Sequence, residues 1–229
     1  MSLVARLFVL LMLLIAPAAA QADEGFYPII ADDGTVIGNH RVSVETESRI
    51  EKLAGIVIAG NPQGSITLAE FYDVNCPFCR AASGDIDALL KRNNKLRLVL
   101  VPFPVLGIPS IQGTRAELAV ARLTSAQEFY RFHRMLDSER GTVDGTRALA
   151  AAAAIGLDQA KTLAVANEDG LADIMKAHVR LGDALGIQAT PGFVIKGVAI
   201  NGYPGPKALA KLVDSVDRCG AVICDAKVQ

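Results

Sequence analysis

Apolar and polar positions fall into blocks along the chain, and the blocks predict an order of elements. Met1 to Arg6 is a short positive stretch, and an apolar run from Leu7 to Ile15 follows it. That run is too short to span a bilayer. Ala20-Gln21-Ala22 is a small-x-small site before Asp23. Residues 1–22 therefore read as a cleavable signal peptide. Patterning is weaker over residues 23–58, which are expected to form an N-terminal arm. Within it, Asp32-Asp33-Gly34 and Gly38-Asn39 are turn signals around Thr35 to Ile37. Ser43 or Thr46 stands where a short helix through about Ala54 would be capped. Asn61-Pro62-Gln63-Gly64 predicts a turn.

Stronger patterns follow. Ile66 to Asp73 reads as a strand and runs into Asn75-Cys76-Pro77-Phe78-Cys79. A helix is predicted next, to about Leu90, with Ile86, Leu89 and Leu90 on one face. Leu96 to Val101 is nearly continuous in apolar residues, as in a strand covered on both faces. Pro102, Pro104, Gly107 and Pro109 end it. Residues 111–186 are predicted helical, being rich in alanine and free of proline. Gly141 and Gly156-Leu157-Asp158 mark breaks. A helix beginning near Gly170 carries Leu171, Ile174, Met175 and Leu185 at helical spacing. Strands return at Gly192 to Lys196 and Val198 to Ile200. The last helix follows Pro204 and Pro206, with Leu209, Leu212, Val213 and Val216 at i, i+3, i+4, i+7. The order is strand, helix, strand, helical block, two strands, helix. This is an α/β pattern interrupted by an all-helical insertion.

Charge and composition narrow the functional classes. The formal net charge is −1, which gives no sign of a nucleic-acid partner. Hydrophobic content of 51% is that of a globular chain rather than a disordered one. No later segment reaches 18 uninterrupted apolar residues. Four cysteines stand as two close pairs, Cys76/Cys79 and Cys219/Cys224. Outside the cytosol disulfides form and persist, so export points to redox or structural cysteines, with a metal site as the other option.

The Cys76-Pro77-Phe78-Cys79 motif has three readings: a redox pair, a structural disulfide or a thiolate metal site. Its context favours the first. Between a strand and a helix, Cys76 falls at a helix N-terminus, where free N–H groups and the dipole stabilise a thiolate. Such placement lowers a cysteine pKa from about 8.5 to about 3.5–7.5. Pro77 suits the first helical turn. Cys76 would attack and Cys79, one turn in, would resolve the mixed disulfide. A zinc site needs four ligands; Cys219 and Cys224 would have to complete it, and the three histidines are scattered. No metal or cofactor is expected. In one continuous helix, Cys219 and Cys224 would lie about 7.5 Å apart along the axis, too far for a bridge. Gly220 can end the helix and let the chain fold back. A structural disulfide is expected there, with a regulatory pair or a metal site as alternatives.

The remaining features read as ordinary structure. His178 is expected at the edge of a packed helix. His40 and His133 show no partner spacing. Phe129, Tyr130 and Phe132 are expected in the core, and Arg131 and Arg134 on a solvated face. Phe103, Pro104, Leu106 and Ile108 are expected to rim an apolar groove suited to unfolded polypeptides.

Three segments together resemble the DsbA-like branch of the thioredoxin superfamily. They are Ile66 to Cys79, the Phe103-Pro104-Val105-Leu106-Gly107 turn, and Ala189-Thr190-Pro191-Gly192-Phe193-Val194-Ile195. The resemblance covers most of residues 60–218. It implies a thioredoxin-like domain of residues 59–110 and 187–229, with residues 111–186 as an inserted helical domain. It implies that Pro191 is a cis-proline facing the cysteines and that Thr190 offers backbone groups to a peptide. It also implies that Glu70 lies beneath the active site and assists proton transfer near Cys79. Two departures stand out. Leu100-Val101-Pro102 replaces a charged position on the second strand, so Glu70 has no evident cationic partner, with Arg97 merely nearby. The Pro77-Phe78 dipeptide lacks a histidine, which makes the pair less oxidising.

The expected function is therefore exported, periplasmic thiol–disulfide exchange that forms disulfides. Disulfide isomerase or reductase activity is the alternative, and Thr190 also resembles the isomerase and copper-sensitivity-suppressor branches. Copper(I) handling through Cys76 and Cys79 and a structural or chaperone-like module complete the options. Expected partners are cysteine-containing exported proteins and a membrane redox partner. Residues 23–58 would serve as a dimerisation arm if the protein forms a homo-oligomer.

Overall fold

A computed structural model describes residues 27–224. The signal-peptide expectation for residues 1–22 lies outside the described residues. In chain order the elements are β1 (Asn39–Arg41), α1 (Val44–Ser48), β2 (Val57–Gly60), β3 (Ile66–Tyr72), α2 (Pro77–Arg92) and β4 (Leu96–Pro102). Five helices follow: α3 (Ile108–Leu123), α4 (Ala126–Ser138), α5 (Gly145–Ala154), α6 (Gln159–Ala166) and α7 (Gly170–Ala184). The hairpin β5 (Gly192–Ile195) and β6 (Val198–Asn201) and then α8 (Pro206–Cys219) complete the chain. The six strands form one sheet in the order β1-β6-β5-β3-β4-β2. Only β3 and β4 are parallel, joined through α2; the other pairs are antiparallel.

The period-two alternation of the strands divides the core between two faces. Leu68, Tyr72, Leu98, Leu100, Phe193 and Ile195 point to one face. There they meet Ile86 of α2, Phe132 and Leu136 of α4, and Leu209 and Val213 of α8. Ala69, Phe71, Val99, Val101, Val194 and Ala199 point to the other face, against Leu181 of α7 and the following Leu185 and Ile187. The continuous apolar run of β4 follows from burial on both sides.

The element boundaries have local causes. Ser43 caps α1 by accepting from the Thr46 N–H at 3.1 Å. Ser125 and Glu128 form a reciprocal capping box at the start of α4. Gly220, at φ 73°, ends α8 in the left-handed conformation. Pro102 ends β4 as the sequence predicts, and Pro109 sits in the first turn of α3, so that helix begins at Ile108 rather than at residue 111.

The described part of residues 23–58 supplies β1 and β2, which form the two edges of the sheet. The helical block packs on the sheet. Its last helix, α7, covers the second face of the sheet, and Gly182 lets it approach β4 closely. A Cβ there would lie 2.4 Å from Phe103 Cε2. Phe103 is accordingly buried beneath α7 rather than on a groove rim.

Candidate active site

β3 carries the chain to the end of the sheet, where Asp73 to Asn75 turn it into α2. The Cys76 N–H donates to the Asp73 carbonyl at 2.9 Å. Cys76 is the N-cap of α2 in extended conformation, and Pro77 occupies the first turn. Both cysteines are free thiols, and each is only 3% exposed. Pairing of β5 with β3, with Phe71 opposite Gly192, brings the preceding Thr190-Pro191 segment against this turn. The Thr190–Pro191 peptide bond is cis. Cys76 Sγ lies 3.1 Å from the Thr190 carbonyl oxygen, to which the thiol donates.

The two thiols differ in acidity. A hydrogen bond from the Cys79 thiol favours the Cys76 thiolate, and bonds from the Thr190 side chain and the Cys79 and Phe78 N–H groups add to it. Together they outweigh burial and bring Cys76 down to about 6. Burial pushes Cys79 strongly upward, reinforced by its bond to Cys76 and the charge of Glu70.

A polar network ties the turn to the helical block. Asp73 is fully buried. It accepts from the Asn75 N–H and the Ser110 hydroxyl on Oδ1, and from the Val105 and Leu106 N–H groups on Oδ2, all within 2.7–2.9 Å. The Asn75 side chain accepts from the Val143 N–H at 2.7 Å and donates to the Val143 carbonyl and Ser110 Oγ at 3.0 Å. Arg80, one turn beyond Cys76, donates to the carbonyls of Val74, Glu139 and Gly141. Around this turn the surface is apolar. Phe78 is 62% exposed and Ile108 70%, with Val105 and Leu106 also exposed. A neighbouring cavity of about 380 Å³ is lined by Pro104, Ile111, Met175 and Val179, with Arg115 and Arg180.

Beneath the cysteines lies a buried ionisable cluster. Glu70 points to the same face of β3 as Tyr72 and is 3% exposed. Burial raises its pKa to about 8, partly offset by the charge of His133. His133 lies edge-on to the Tyr72 ring, at 4.5 Å between centroids. Its Nδ1 is 3.1 Å from Glu117 Oε1 and its Nε2 is 3.4 Å from Asp137 Oδ2. Burial disfavours the imidazolium, but Asp137, Glu117 and Glu70 prevail and hold His133 at about 9. Burial likewise raises Glu117.

Cys76, Cys79, Thr190, Pro191 and Glu70 thus come together, whereas Cys219 and Cys224 form a disulfide with each other at the C-terminal end of α8. Cys76 and Cys79 remain as the paired soft ligands among the described residues. Sequence reasoning passed over Asp73, Asn75, Arg80 and His133. Asp137 stands four residues after His133, a helical spacing that would have marked the pair. Arg134 is also not merely solvated; it donates to the Ser83 carbonyl of α2. Arg97 points away from Glu70 and pairs with Glu51.

A thioredoxin family model matches residues 52–215. A thioredoxin-like oxidoreductase from Silicibacter pomeroyi is 27% identical, with a TM-score of 0.68 over 78% of this chain and 98% of that one. The thiol-disulfide exchange protein alpha-DsbA2 from Wolbachia pipientis is 23% identical, with a TM-score of 0.68 over 76% and 93%. The catalytic domain of Proteus mirabilis ScsC is 20% identical, with a TM-score of 0.67 over 75% and 94%. No curated protein matches the chain by sequence. The chain belongs to the thioredoxin family, and its fold is that of the family's DsbA-like thiol–disulfide oxidoreductases.

Proposed function

We propose that the protein is an exported thiol–disulfide oxidoreductase that forms disulfides in other exported proteins through Cys76 and Cys79. The observation that carries this reading is the contrast between the two thiols at one helix N-terminus. Cys76 is held near 6 and Cys79 is held protonated, 3 residues further into the same helix. A stabilised Cys76 thiolate is a good leaving group and makes the disulfide more oxidising.

In the forward direction a substrate thiolate attacks Cys76 Sγ of the Cys76–Cys79 disulfide. The Cys76–Cys79 bond breaks, and its electron pair goes to Cys79, which takes a proton from the Glu70 carboxyl. A second substrate thiolate then attacks the substrate sulfur of the mixed disulfide. The substrate disulfide forms and Cys76 leaves as a thiolate. The substrate is oxidised by two electrons and the cysteine pair is reduced. A membrane redox partner would reoxidise it. Thr190 would offer backbone groups to the bound peptide beside Pro191, and the exposed apolar residues Phe78, Leu106 and Ile108 would receive an unfolded chain. Cys219–Cys224 would pin the C-terminus without entering the reaction.

The test is the equilibrium of the pair with glutathione, together with the Cys76 thiolate titration. A strongly oxidising pair with a titration near 6 supports the oxidase. A reducing pair titrating near a free thiol moves the reading to isomerase or reductase. Failure to exchange, with tight copper(I) binding lost in Cys76→Ala, would replace the enzyme by a copper-handling protein. Cell fractionation tests export, and solution size tests whether the chain self-associates.

A further inference from the structure

The buried cluster holds more ionisable groups than the thiol chemistry above uses. Glu70 and Tyr72 reach it from β3, Cys76 and Cys79 from the start of α2, and Glu117 from α3. Tyr130, His133 and Asp137 reach it from α4. The Tyr72 hydroxyl donates to Glu117 Oε1 at 3.3 Å. Asp87 of α2 faces Tyr130 at 3.5 Å but is paired with Lys91. Arg134 is turned onto the Ser83 carbonyl. Among the described residues that leaves one cation, His133, among three carboxyls: Glu70, Glu117 and Asp137. Glu117 Oε2 and Asp137 Oδ2 make no hydrogen bond among the described residues.

Ionising all three carboxyls would leave two unbalanced negative charges in a dry core, at a cost of several kcal/mol per uncompensated ion. The cluster must therefore retain protons. Of its carboxyls, Glu70 is the one whose charge acts on both cysteines. Asp137 also acts on Glu70 directly, and His133 touches Glu117, Asp137 and the Tyr72 ring.

We propose that His133 of the inserted helices, set by Glu117 and Asp137, is the cationic partner of Glu70 and positions the proton that passes between Glu70 and Cys79. It replaces a charged group that β4 lacks, since Leu100 stands opposite Glu70 in the β3–β4 register. His133 is a positioning residue: it acts on the reacting sulfur only through Glu70. The helical block then supplies part of the proton handling as well as cover.

The inference rests on the thiol–disulfide reading of Cys76 and Cys79, so the experiment separates the two. The Glu70 carboxyl is followed by carbon NMR in labelled protein, with Glu70→Gln to assign its signal. In His133→Gln its titration should move upward by about 1 unit or more, because a nearby cation is lost. The pH dependence of Cys76–Cys79 reduction should follow in the same direction. A merely structural role for His133 would lower stability and leave the titration in place. A titration in His133→Gln that is unmoved or moves downward overturns the proposal. If His133→Gln does not fold, His133→Asn is read in its place by the same criterion. The carboxyl titration does not require exchange, whereas failure of the parent protein to exchange with glutathione would overturn the functional reading instead.

Discussion

Cys76 and Glu70 are shifted in opposite senses, and pH should separate their effects. Cys76 lies below its ordinary value of 9, at about 6. Its contribution to the reduced fold is present above pH 9 and is lost as pH falls through about 6. Thiolate absorbance of reduced protein should titrate near 6, and Cys76→Ser should remove that transition together with all glutathione exchange. Glu70 lies above its ordinary 4.5, at about 8. Keeping it protonated favours the fold below pH 4.5, and that advantage is lost as pH rises through about 8. Glu70→Gln should therefore stabilise the protein at pH 7 by about 2–3 kcal/mol. The gain should vanish as pH falls towards 4.5 in denaturant titrations, while release of Cys79 slows. These residues were legible to different degrees. Cys76 and Cys79 announce themselves by spacing, and Glu70 by strand parity and resemblance. His133 is marked only by Asp137, four residues on in the same helix, because its other partner Glu117 lies 16 residues away on another helix.

The turn that carries the cysteines is held by elements distant in sequence, and substitutions at those joints should show it. Asn75→Ala would leave the buried Val143 N–H without its acceptor. A loss of about 1–3 kcal/mol is expected, with a looser turn and an altered Cys76 titration. Gly182→Ala would force α7 away from Phe103. A loss of about 1–3 kcal/mol is expected from that overlap, with the titration of Cys76 unchanged. Urea denaturation and thiolate absorbance measure both quantities in each variant. At this scale the long elements β3, α2, β4 and α8 follow from periodicity, because each buries one consistent face or both. The edge strands β1 and β2 did not stand out, being three and four residues long. Asn39, His40 and Arg41 in β1 have no apolar alternation; pairing with Val198–Ile200 makes them a strand. Pro109 lies past the end of β4 and also opens α3, because proline suits a first helical turn as well as it stops a strand.

Across the whole molecule, the C-terminal disulfide and the active-site pair are chemically separate. Replacing Cys219 and Cys224 together by alanine should cost about 2 kcal/mol, the chain-entropy value for so short a loop. Exchange through Cys76 and Cys79 should persist in that variant, as a glutathione equilibrium would show. The division of the chain follows a similar logic. Composition and the run of elements in sequence already carry an α/β fold interrupted by helices. They also carry the redox motif at a strand-to-helix junction. These are local properties: apolar spacing, capping residues and cysteine spacing act over a few residues, so the chain order alone determines them. The tertiary structure decided which helices cover which face, and so made α7 part of the sheet's packing rather than of a detached insert. It also decided that Thr190 meets Cys76, that Asn75 meets Val143, and that His133 meets the Tyr72 ring. Each of those contacts joins residues tens of positions apart. Their energies depend on exclusion of water and on a shared buried volume, and neither exists until the sheet and the helices have closed on one another.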